Sequence, residues 1–340
     1  MELQQRIIRR TIHLAVRKAM EDIKGNPERS IRNLIDLGRM FAKTKNQAWF
    51  FDMAKNVFSN PQNPYRALAK RVVLNIDNET VRTVGLNLGH SSLIHGAKRL
   101  KRQQGIGGIP LPWVFVLDLR QMRADAYGDL NALIRQSCDL GVFTYVICAD
   151  REETVQHVGA LARHFKECAF LFKLDADLIL DDTLRVLEGL HNAVISVKVD
   201  AEKHRKSQEA FRLLRKHRCL YGFHLVYEEN ADRVASRAFI RQAIEWGNLF
   251  GVYIAGEGVT AACREKVYAF VCQERGGGGQ PLIALEWARD LDEIGRRIGV
   301  SRKPLTIRPP YSAGLQTAQG GAFMEMIGRL QQGHAALPQP

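Results

Sequence analysis

The feature that most constrains the fold is a series of short apolar segments that alternate with amphipathic ones after Pro112. The apolar segments are rich in Val, Ile, Phe and Tyr, which predicts buried strands. The six predicted strands are residues 113–118, 143–149, 169–174, 193–199, 221–227 and 251–255. Helical patterns follow at residues 153–166, 181–189, 207–218 and 234–248. Repeated βα units form parallel sheets with right-handed crossovers, so the sequence predicts an α/β fold.

The glycines do not match any dinucleotide- or nucleotide-binding pattern. No GxGxxG or Walker-type segment occurs, and the four glycines at 276–279 follow a helical pattern without a Lys-Ser or Lys-Thr sequel. They are typical of a flexible linker. Six βα units without a phosphate loop favour an open, partial (β/α)6 barrel of the TIM type.

The first third of the chain has a different texture. We predict helices over residues 2–24, 28–43, 46–58, 63–74 and 78–104, separated by Asn-Pro turns and followed by a glycine-rich connector at 105–110. The predicted organisation is a basic helical region over 1–110, a partial barrel over 111–275 and a C-terminal extension over 276–340. We expect the end of that extension to be disordered.

The positive charge of the protein lies almost entirely in this helical region. The net charge is +13, and residues 1–110 hold 20 lysines and arginines against 8 acidic residues. In the predicted helix 2–24, one face is apolar and the neighbouring face carries a basic set: Arg6, Arg9, Arg10, Arg17 and Lys24. Such a face can dock an acidic protein or an anionic membrane surface, or it can be an ordinary solvated face.

Nucleic acid is the less favoured partner for the same region. The aromatic residues Trp49, Phe50, Phe51 and Phe58 lie among basic residues, but their helical spacing favours a core position over a stacking platform. The six cysteines form no CxxC pair, and no apolar run approaches the roughly 18 residues that span a bilayer. We therefore expect a cytoplasmic protein that is at most peripheral at a membrane.

Charged residues follow the predicted strands, and in parallel α/β proteins this edge carries the chemistry. The candidate site residues are Asp118, Asp150, Asp175, Asp177, Lys198, Asp200, His224 and Glu257, with Glu228 and Glu229 after the fifth strand. A ring of carboxylates could bind a divalent cation or a polyamine. Asp is also favoured as a helix N-cap at such junctions, and capping explains most of these residues without a ligand.

Two lysines interrupt the apolar strands. Lys173 and Lys198 each stand two residues before an Asp. A buried lysine needs a partner or loses its proton, so we predict an internal ion pair of Lys198 with Asp200 or Asp175. The alternative is a lysine that forms a Schiff base at the barrel mouth.

From about residue 5 to about residue 275, the order of segments resembles a radical SAM subfamily that has a helical N-terminal region. The resemblance is carried by GLNLGH at 85–90, Pro112-Trp113, and an ordered series of strand segments: GVFTYVI (141–147), CAFLFKLDADLI (168–179), AVISVKVD (193–200), LYGFHLVYEEN (220–230) and FGVYIAGEG (250–258). It implies the partial barrel of that family, with a [4Fe-4S] cluster and SAM as family cofactors.

The motifs that hold those cofactors are missing. The family has CxxxCxxC after the first strand, whereas residues 118–127, DLRQMRADAY, contain no cysteine. The SAM-binding Gly-Gly-Glu turn corresponds to CADREE at 148–153, and the Thr-Asn-Gly of the third strand corresponds to Leu174-Asp175-Ala176. Lys198 stands where the family has an acidic residue, and no cysteine follows Cys272.

The leading hypothesis is a catalytically degenerate radical-SAM-like protein that acts as a non-enzymatic partner or accessory subunit, possibly of an intact radical SAM enzyme. No cofactor is expected. The alternative is an enzyme or ligand-binding protein with non-radical chemistry at the carboxylate-lined mouth.

Overall fold

The core of the protein is one parallel β-sheet. A computed structural model describes residues 14–18, 25–42, 45–107, 111–120, 127–200, 204–229, 231–275 and 279–308. Within these residues the sheet has eight strands: β1 (Val114–Asp118), β2 (Thr144–Cys148), β3 (Ala169–Leu174), β4 (Ala193–Lys198), β5 (Tyr221–Tyr227), β6 (Phe250–Ala255), β7 (Ile283–Glu286) and β8 (Leu305–Ile307).

The strand order is β7-β6-β5-β4-β3-β2-β1-β8, and every neighbouring pair is parallel. Seven strands thus follow one another in chain order while β8 returns to pair with β1. β7 and β8 form the two open edges. This confirms the predicted α/β class and its open, partial barrel. The six predicted strands are all present.

Two further strands, β7 and β8, extend the sheet from six strands to eight. β8 has three residues and β7 has four, and β7 continues directly into a helix that starts at Trp287. Segments this short have no measurable period in the sequence, because a strand signal needs several alternations.

Helices connect the strands on one side of the sheet. They are α6 (Tyr127–Leu140), α7 (Glu152–His164), α8 (Asp181–Glu188), α9 (Arg205–Lys216), α10 (Arg237–Glu245), α11 (Ala261–Arg275) and α12 (Trp287–Ile298). The four predicted helices at 153–166, 181–189, 207–218 and 234–248 correspond to α7, α8, α9 and α10.

The helical region precedes the sheet, as predicted. Its helices are α1 (Pro27–Phe41), α2 (Lys45–Ser59), α3 (Pro64–Asn75), α4 (Asn78–Leu86) and α5 (Ala97–Gly107). Asn26, Asn63 and Asp77 cap α1, α3 and α4 by accepting a hydrogen bond from a backbone N–H in the first turn. Of the predicted helix 2–24, residues 14–18 are described and are helical.

A π-helix, Asn87–Gly96, joins α4 to α5 within the predicted helix 78–104. A π-helix brings residues five apart together. Asn87 and Ser92 therefore share a face: the Asn87 amide donates to the carbonyls of Lys166 and Cys168, and the Ser92 hydroxyl bonds that of Thr144 at 2.6 Å. These contacts seat the segment on the amino-terminal ends of β2 and β3.

The two faces of the sheet have different surroundings. On one face, Phe211 of α9 stacks on Tyr221 at 5.8 Å between ring centroids, and Phe239 of α10 meets Phe223 edge-on at 5.4 Å. This helix-covered face is lined by a fully buried aromatic set: Phe115, Tyr145, Phe170, Phe172, Tyr221, Phe223 and Tyr253. Burial of so many large rings is the main source of stability for the sheet.

Arg71 of α3 fastens the helical region to the sheet. Its guanidinium donates to the carbonyls of Pro281 and Asn248, both at 2.9 Å, and to that of Ile244 at 3.4 Å. Asn248 and Pro281 directly precede β6 and β7. The described part of the helical region therefore contacts the amino-terminal end of the sheet.

We predict that Arg71→Met lowers the free energy of unfolding by about 1–3 kcal/mol, because it leaves three partly buried carbonyl oxygens without their donor. Urea unfolding followed by circular dichroism measures the loss. The matched control is Lys70→Met, which removes the neighbouring exposed cation and should change stability by less than about 0.5 kcal/mol. Equal stability of the two variants would contradict the fastening role of Arg71.

Candidate functional site

The other face of the sheet is concave and carries two rows of side chains. Strand pairing places Val116, Val146, Leu171 and Val194 side by side in one row. Two residues further along each strand, the same pairing forms a polar row: Asp118, Cys148, Lys173 and Ser196. Side chains alternate between the faces of a strand, so both rows lie opposite the aromatic face. The polar row marks the mouth of the half-barrel.

Asp118 is the centre of an ion cluster at the mouth. Its carboxylate accepts two hydrogen bonds from Arg120, at 2.7 and 2.8 Å, and one from Arg308 at 3.1 Å. Burial by itself would raise the pKa of Asp118, but the hydrogen bonds and charges of Arg120 and then Arg308 outweigh it, and the pKa falls below its ordinary value. The aspartate therefore stays ionised, and its charge is neutralised by protein groups.

Lys173 is the next charged member of the polar row, and Cys148 stands between it and Asp118. Burial lowers the pKa of Lys173. Burial also raises the pKa of the Cys148 thiol, although the charge of Lys173 opposes that shift. Among the described residues, no carboxylate lies within 4 Å of the Lys173 amine. The site thus contains an amine that is partly shielded from water, and its nearest charged carboxylate, Asp118, acts on it only from beyond ion-pair distance.

His224 and Ser196 form a buried pair next to this amine. The Ser196 hydroxyl and Nδ1 of His224 are 3.1 Å apart. The pKa of His224 falls well below its ordinary value, first through burial and then through the charges of Lys173 and Lys198. The imidazole is therefore neutral at pH 7.

Lys198 pairs with Asp175, as the sequence analysis predicted for one of two partners. The Nζ to Oδ1 distance is 3.8 Å. Both side chains are more than half exposed, so the pair lies at the surface of the mouth and not inside the sheet. Exposed pairs of this kind contribute little to stability, and Lys198 remains accessible to a ligand.

The other predicted carboxylates are distributed around the mouth and do not converge. Oδ1 of Asp150 lies 3.7 Å from Nε of Arg151, and Oδ1 of Asp177 lies 2.8 Å from Nζ of Lys206. Asp200, Glu228 and Glu257 are exposed, and Glu229 accepts hydrogen bonds from the backbone and hydroxyl of Thr260.

Helix capping does not account for Asp150 or Asp175. Asp150 precedes the cap residue of α7, Arg151, and that helix has no side-chain cap. Asp175 begins a short 3-10 turn without a side-chain capping bond. Within the described residues, no three His, Cys, Asp or Glu side chains are arranged to hold a metal ion. Four carboxylates at the mouth, those of Asp118, Asp150, Asp175 and Asp177, are paired with cations, and Lys173 lies among them.

All six cysteines are described, and they lie in separate places. Cys138 and Cys168 are 3.3 Å apart, sulfur to sulfur, near the amino-terminal end of β3, and Cys219 precedes β5. Cys148 is at the mouth, and Cys263 at the start of α11 donates to the carbonyl of Glu228 at 3.5 Å. Cys272 is exposed further along α11.

The predicted docking face is described in part. Arg17 is exposed, while Arg6, Arg9, Arg10 and Lys24 lie outside the described residues. No helix among the described ranges combines the length and the apolarity that crossing a bilayer requires.

Sequence reasoning missed several residues of the mouth. Arg308 is 190 positions from Asp118 and reaches it only because β8 pairs with β1. Cys148 and Ser196 carry no signal in the sequence because each is a small residue inside an apolar run. The strand register alone reveals that they flank Lys173.

Comparison with known proteins yields structural neighbours only. No protein-family model matches the sequence, and neither does any curated protein. Streptococcus suis SuiB bound to S-adenosylmethionine is similar at a TM-score of 0.45 and 12% identity, over 82% of this chain and 73% of SuiB. SuiB bound to its precursor peptide SuiA is similar at a TM-score of 0.42 and 11% identity, over 56% of this chain and 53% of SuiB.

A third neighbour is the carboxyl transferase domain of Rhizobium etli pyruvate carboxylase, at a TM-score of 0.32 and 12% identity, over 70% of this chain and 51% of that one. The chain spans about half the length of this domain and of SuiB in its peptide complex. Strand order and connectivity define the class: an open α/β half-barrel with a parallel sheet and a mouth rich in ion pairs.

We predict that Asp118→Asn destabilises the protein by about 1–2 kcal/mol at pH 7, because both arginines lose a nearly buried carboxylate; the figure is small because they are about half exposed. A carboxyl with a lowered folded-state pKa stabilises above its unfolded pKa of about 3.9 and loses that effect as pH falls through the folded pKa. The difference between wild type and variant should therefore shrink between pH 5 and pH 3.

Urea unfolding of both proteins at pH 7, 5 and 3 measures this difference. Asp177→Asn is the matched control, since Asp177 and Lys206 are both exposed, and it should have little effect at any of these pH values. A constant penalty for Asp118→Asn across the series would contradict the proposed charge cluster.

Proposed function

We propose that this chain is a catalytically degenerate relative of the radical SAM proteins that acts as a non-enzymatic partner or accessory subunit, possibly of an intact radical SAM enzyme. The observation that carries the proposal is the ion cluster of Asp118, Arg120 and Arg308 at the end of β1. By the resemblance, this is where the loop with three cluster thiolates would begin. A salt-bridged aspartate stands there instead.

The positions of the cysteines support the same proposal. A [4Fe-4S] cluster that binds SAM needs three thiolates within reach of one another. Cys148 is the only cysteine on the concave face, and Cys138, Cys168 and Cys219 are at the opposite end of the strands. Carboxylate and guanidinium groups do not replace soft thiolate ligands.

The charges of the mouth also disfavour SAM as a ligand. SAM has a net positive charge at pH 7, because its sulfonium and ammonium groups outnumber its single carboxylate. Lys198 stands where the resemblance implies an acidic residue, and Lys173 lies in the same region without a carboxylate partner among the described residues. Like charges at short range in a partly desolvated site cost binding energy.

Basic residues of the helical region provide the surface for a partner. This region holds most of the net charge, and its described helices cover the end of the sheet opposite the mouth. A positive surface remote from the ligand-binding end is suited to an acidic protein partner. An anionic membrane face is the second candidate for this surface, and nucleic acid is not favoured.

We predict that SAM does not stabilise the protein. With SAM at 1 mM, the thermal midpoint should stay within 1 °C of the ligand-free value, because a ligand that does not bind the folded state cannot shift the unfolding equilibrium. Differential scanning fluorimetry measures the midpoint. A SAM-dependent rise of several degrees in the wild-type protein would contradict the proposal.

We also predict that the full chain is recovered from its own cell extract in a complex, and that charge reversal of the basic face disrupts this complex. The variant converts Arg6, Arg9, Arg10 and Arg17 to Glu. The control reverses four exposed basic residues elsewhere, namely Arg163, Lys216, Arg241 and Lys303. Native mass spectrometry of the tagged proteins should show the complex for wild type and control only. A solitary monomer in all three would contradict the accessory role.

A further inference from the structure

We propose that the concave face of the half-barrel is a binding site for a small organic acid with an apolar body. Its carboxylate would pair with Lys173, and its hydrocarbon would lie on the row of Val116, Leu171 and Val194. This binding site goes beyond the accessory role proposed above and does not depend on it, because the same face would be present in an active enzyme.

The apolar row is the first observation. Val116, Leu171 and Val194 stay partly exposed, whereas their neighbours on the opposite face, such as Phe115, Phe170 and Ile195, are almost completely buried. Strand pairing joins the exposed side chains through Val146 into one continuous apolar strip. Partly exposed aliphatic side chains along a concave surface gain free energy when a hydrocarbon covers them.

The amine of Lys173 is the second observation. It stands one position along the strand face from Leu171, so the apolar strip leads directly to it. Within the described part of the chain it has no carboxylate within 4 Å, and burial lowers its pKa. An amine in this state gains from an anionic ligand, which supplies a counter-charge in direct contact and favours the protonated form of the lysine.

The groups around Lys173 favour an anion over a cation. The Asp118 carboxylate is paired with Arg120 and Arg308, and the Asp175 carboxylate is paired with Lys198. His224 is neutral, and in the tautomer whose Nδ1–H donates to the Ser196 hydroxyl, that hydroxyl can donate its own proton to a carboxylate oxygen. A positively charged ligand would meet the charges of Lys173 and Lys198, which disfavour its binding.

The experiment is isothermal titration calorimetry of the full chain with hexanoate, with acetate and hexylamine as comparison ligands. Hexanoate should bind, and affinity should rise about fourfold for each methylene that the apolar row covers, since one buried methylene contributes about 0.8 kcal/mol. Hexylamine has the same hydrocarbon with the opposite charge and should not bind. Equal binding of hexylamine, or no binding of hexanoate, would overturn the proposal.

Two variants test the contact with the ligand's carboxylate and the contact with its hydrocarbon separately. Lys173→Met should weaken hexanoate at least tenfold, whereas Lys206→Met, which removes an exposed lysine paired with Asp177, should leave the affinity unchanged. Leu171→Ala should weaken hexanoate several-fold and acetate not at all. Unchanged hexanoate affinity in Lys173→Met would overturn the assignment of the head group.

Proton linkage gives a readout that altered packing would not produce. Hexanoate binding above pH 8 should take up protons, since the ligand raises the lowered pKa of the lysine. Titrations in two buffers of different ionisation enthalpy measure this uptake, and Lys173→Met should abolish it. Binding without proton uptake at any pH from 8 to 10 would place the carboxylate away from Lys173. None of these outcomes depends on SAM, iron or a protein partner, so they test the site separately from the accessory role.

Discussion

The burial of one face of the parallel sheet under its helices is the interaction on which the rest of the structure depends. The rings of Tyr145, Phe170 and Tyr221 are excluded from water, and each contributes a large apolar area. Among the described residues, the helices after β1 cover this face and the N-terminal helices contact the amino-terminal strand ends, so none of these helices covers the concave face or the mouth. A core of this kind is stabilised by apolar burial and not by a bound group, which is compatible with the proposed loss of a cofactor site.

Charge pairing governs what the mouth can do. Asp118, Asp150 and Asp177 each lie within 4 Å of an arginine or lysine, so these three carboxylates are neutralised, whereas Glu228 and Glu257 are exposed at the rim. Among the described residues, Lys173 has no carboxylate within 4 Å. The mouth is thus better suited to an anion than to a metal ion or a polyamine. The sequence shows that acidic residues follow the strands, but only the structure shows which of them are paired with cations.

Much of the fold could be predicted from the sequence because its signals are local. The six longer strands have apolar runs of β-branched and aromatic residues, and most of the described helices have caps or a clear amphipathic period. The π-helix at Asn87–Gly96 could not be predicted, because its fivefold spacing serves contacts with Thr144 and Cys168 that are distant in sequence. β8 was missed for a similar reason, since its three residues are held by pairing with β1.

The sequence predicts where the candidate site lies but not how its residues are paired. The sequence indicates that charged residues collect where the strands end, and it identifies Asp118, Asp175 and Lys198 among them. It does not reveal that Arg308 neutralises Asp118 or that Lys198 is exposed, because both facts depend on the order and register of strands. Lys173 has the same local context in sequence as Lys198, and only the structure distinguishes the unpaired amine from the paired one.

The proposal that this chain holds no [4Fe-4S] cluster is tested by the iron and sulfide content of the protein after anaerobic purification and cluster reconstitution. We predict no iron above background and no charge-transfer absorption of an iron–sulfur cluster, since Cys138, Cys148 and Cys263 are too dispersed to ligate one. About four irons per chain with matching sulfide would contradict the account. The chain would then hold a cluster, and radical chemistry would return as its function.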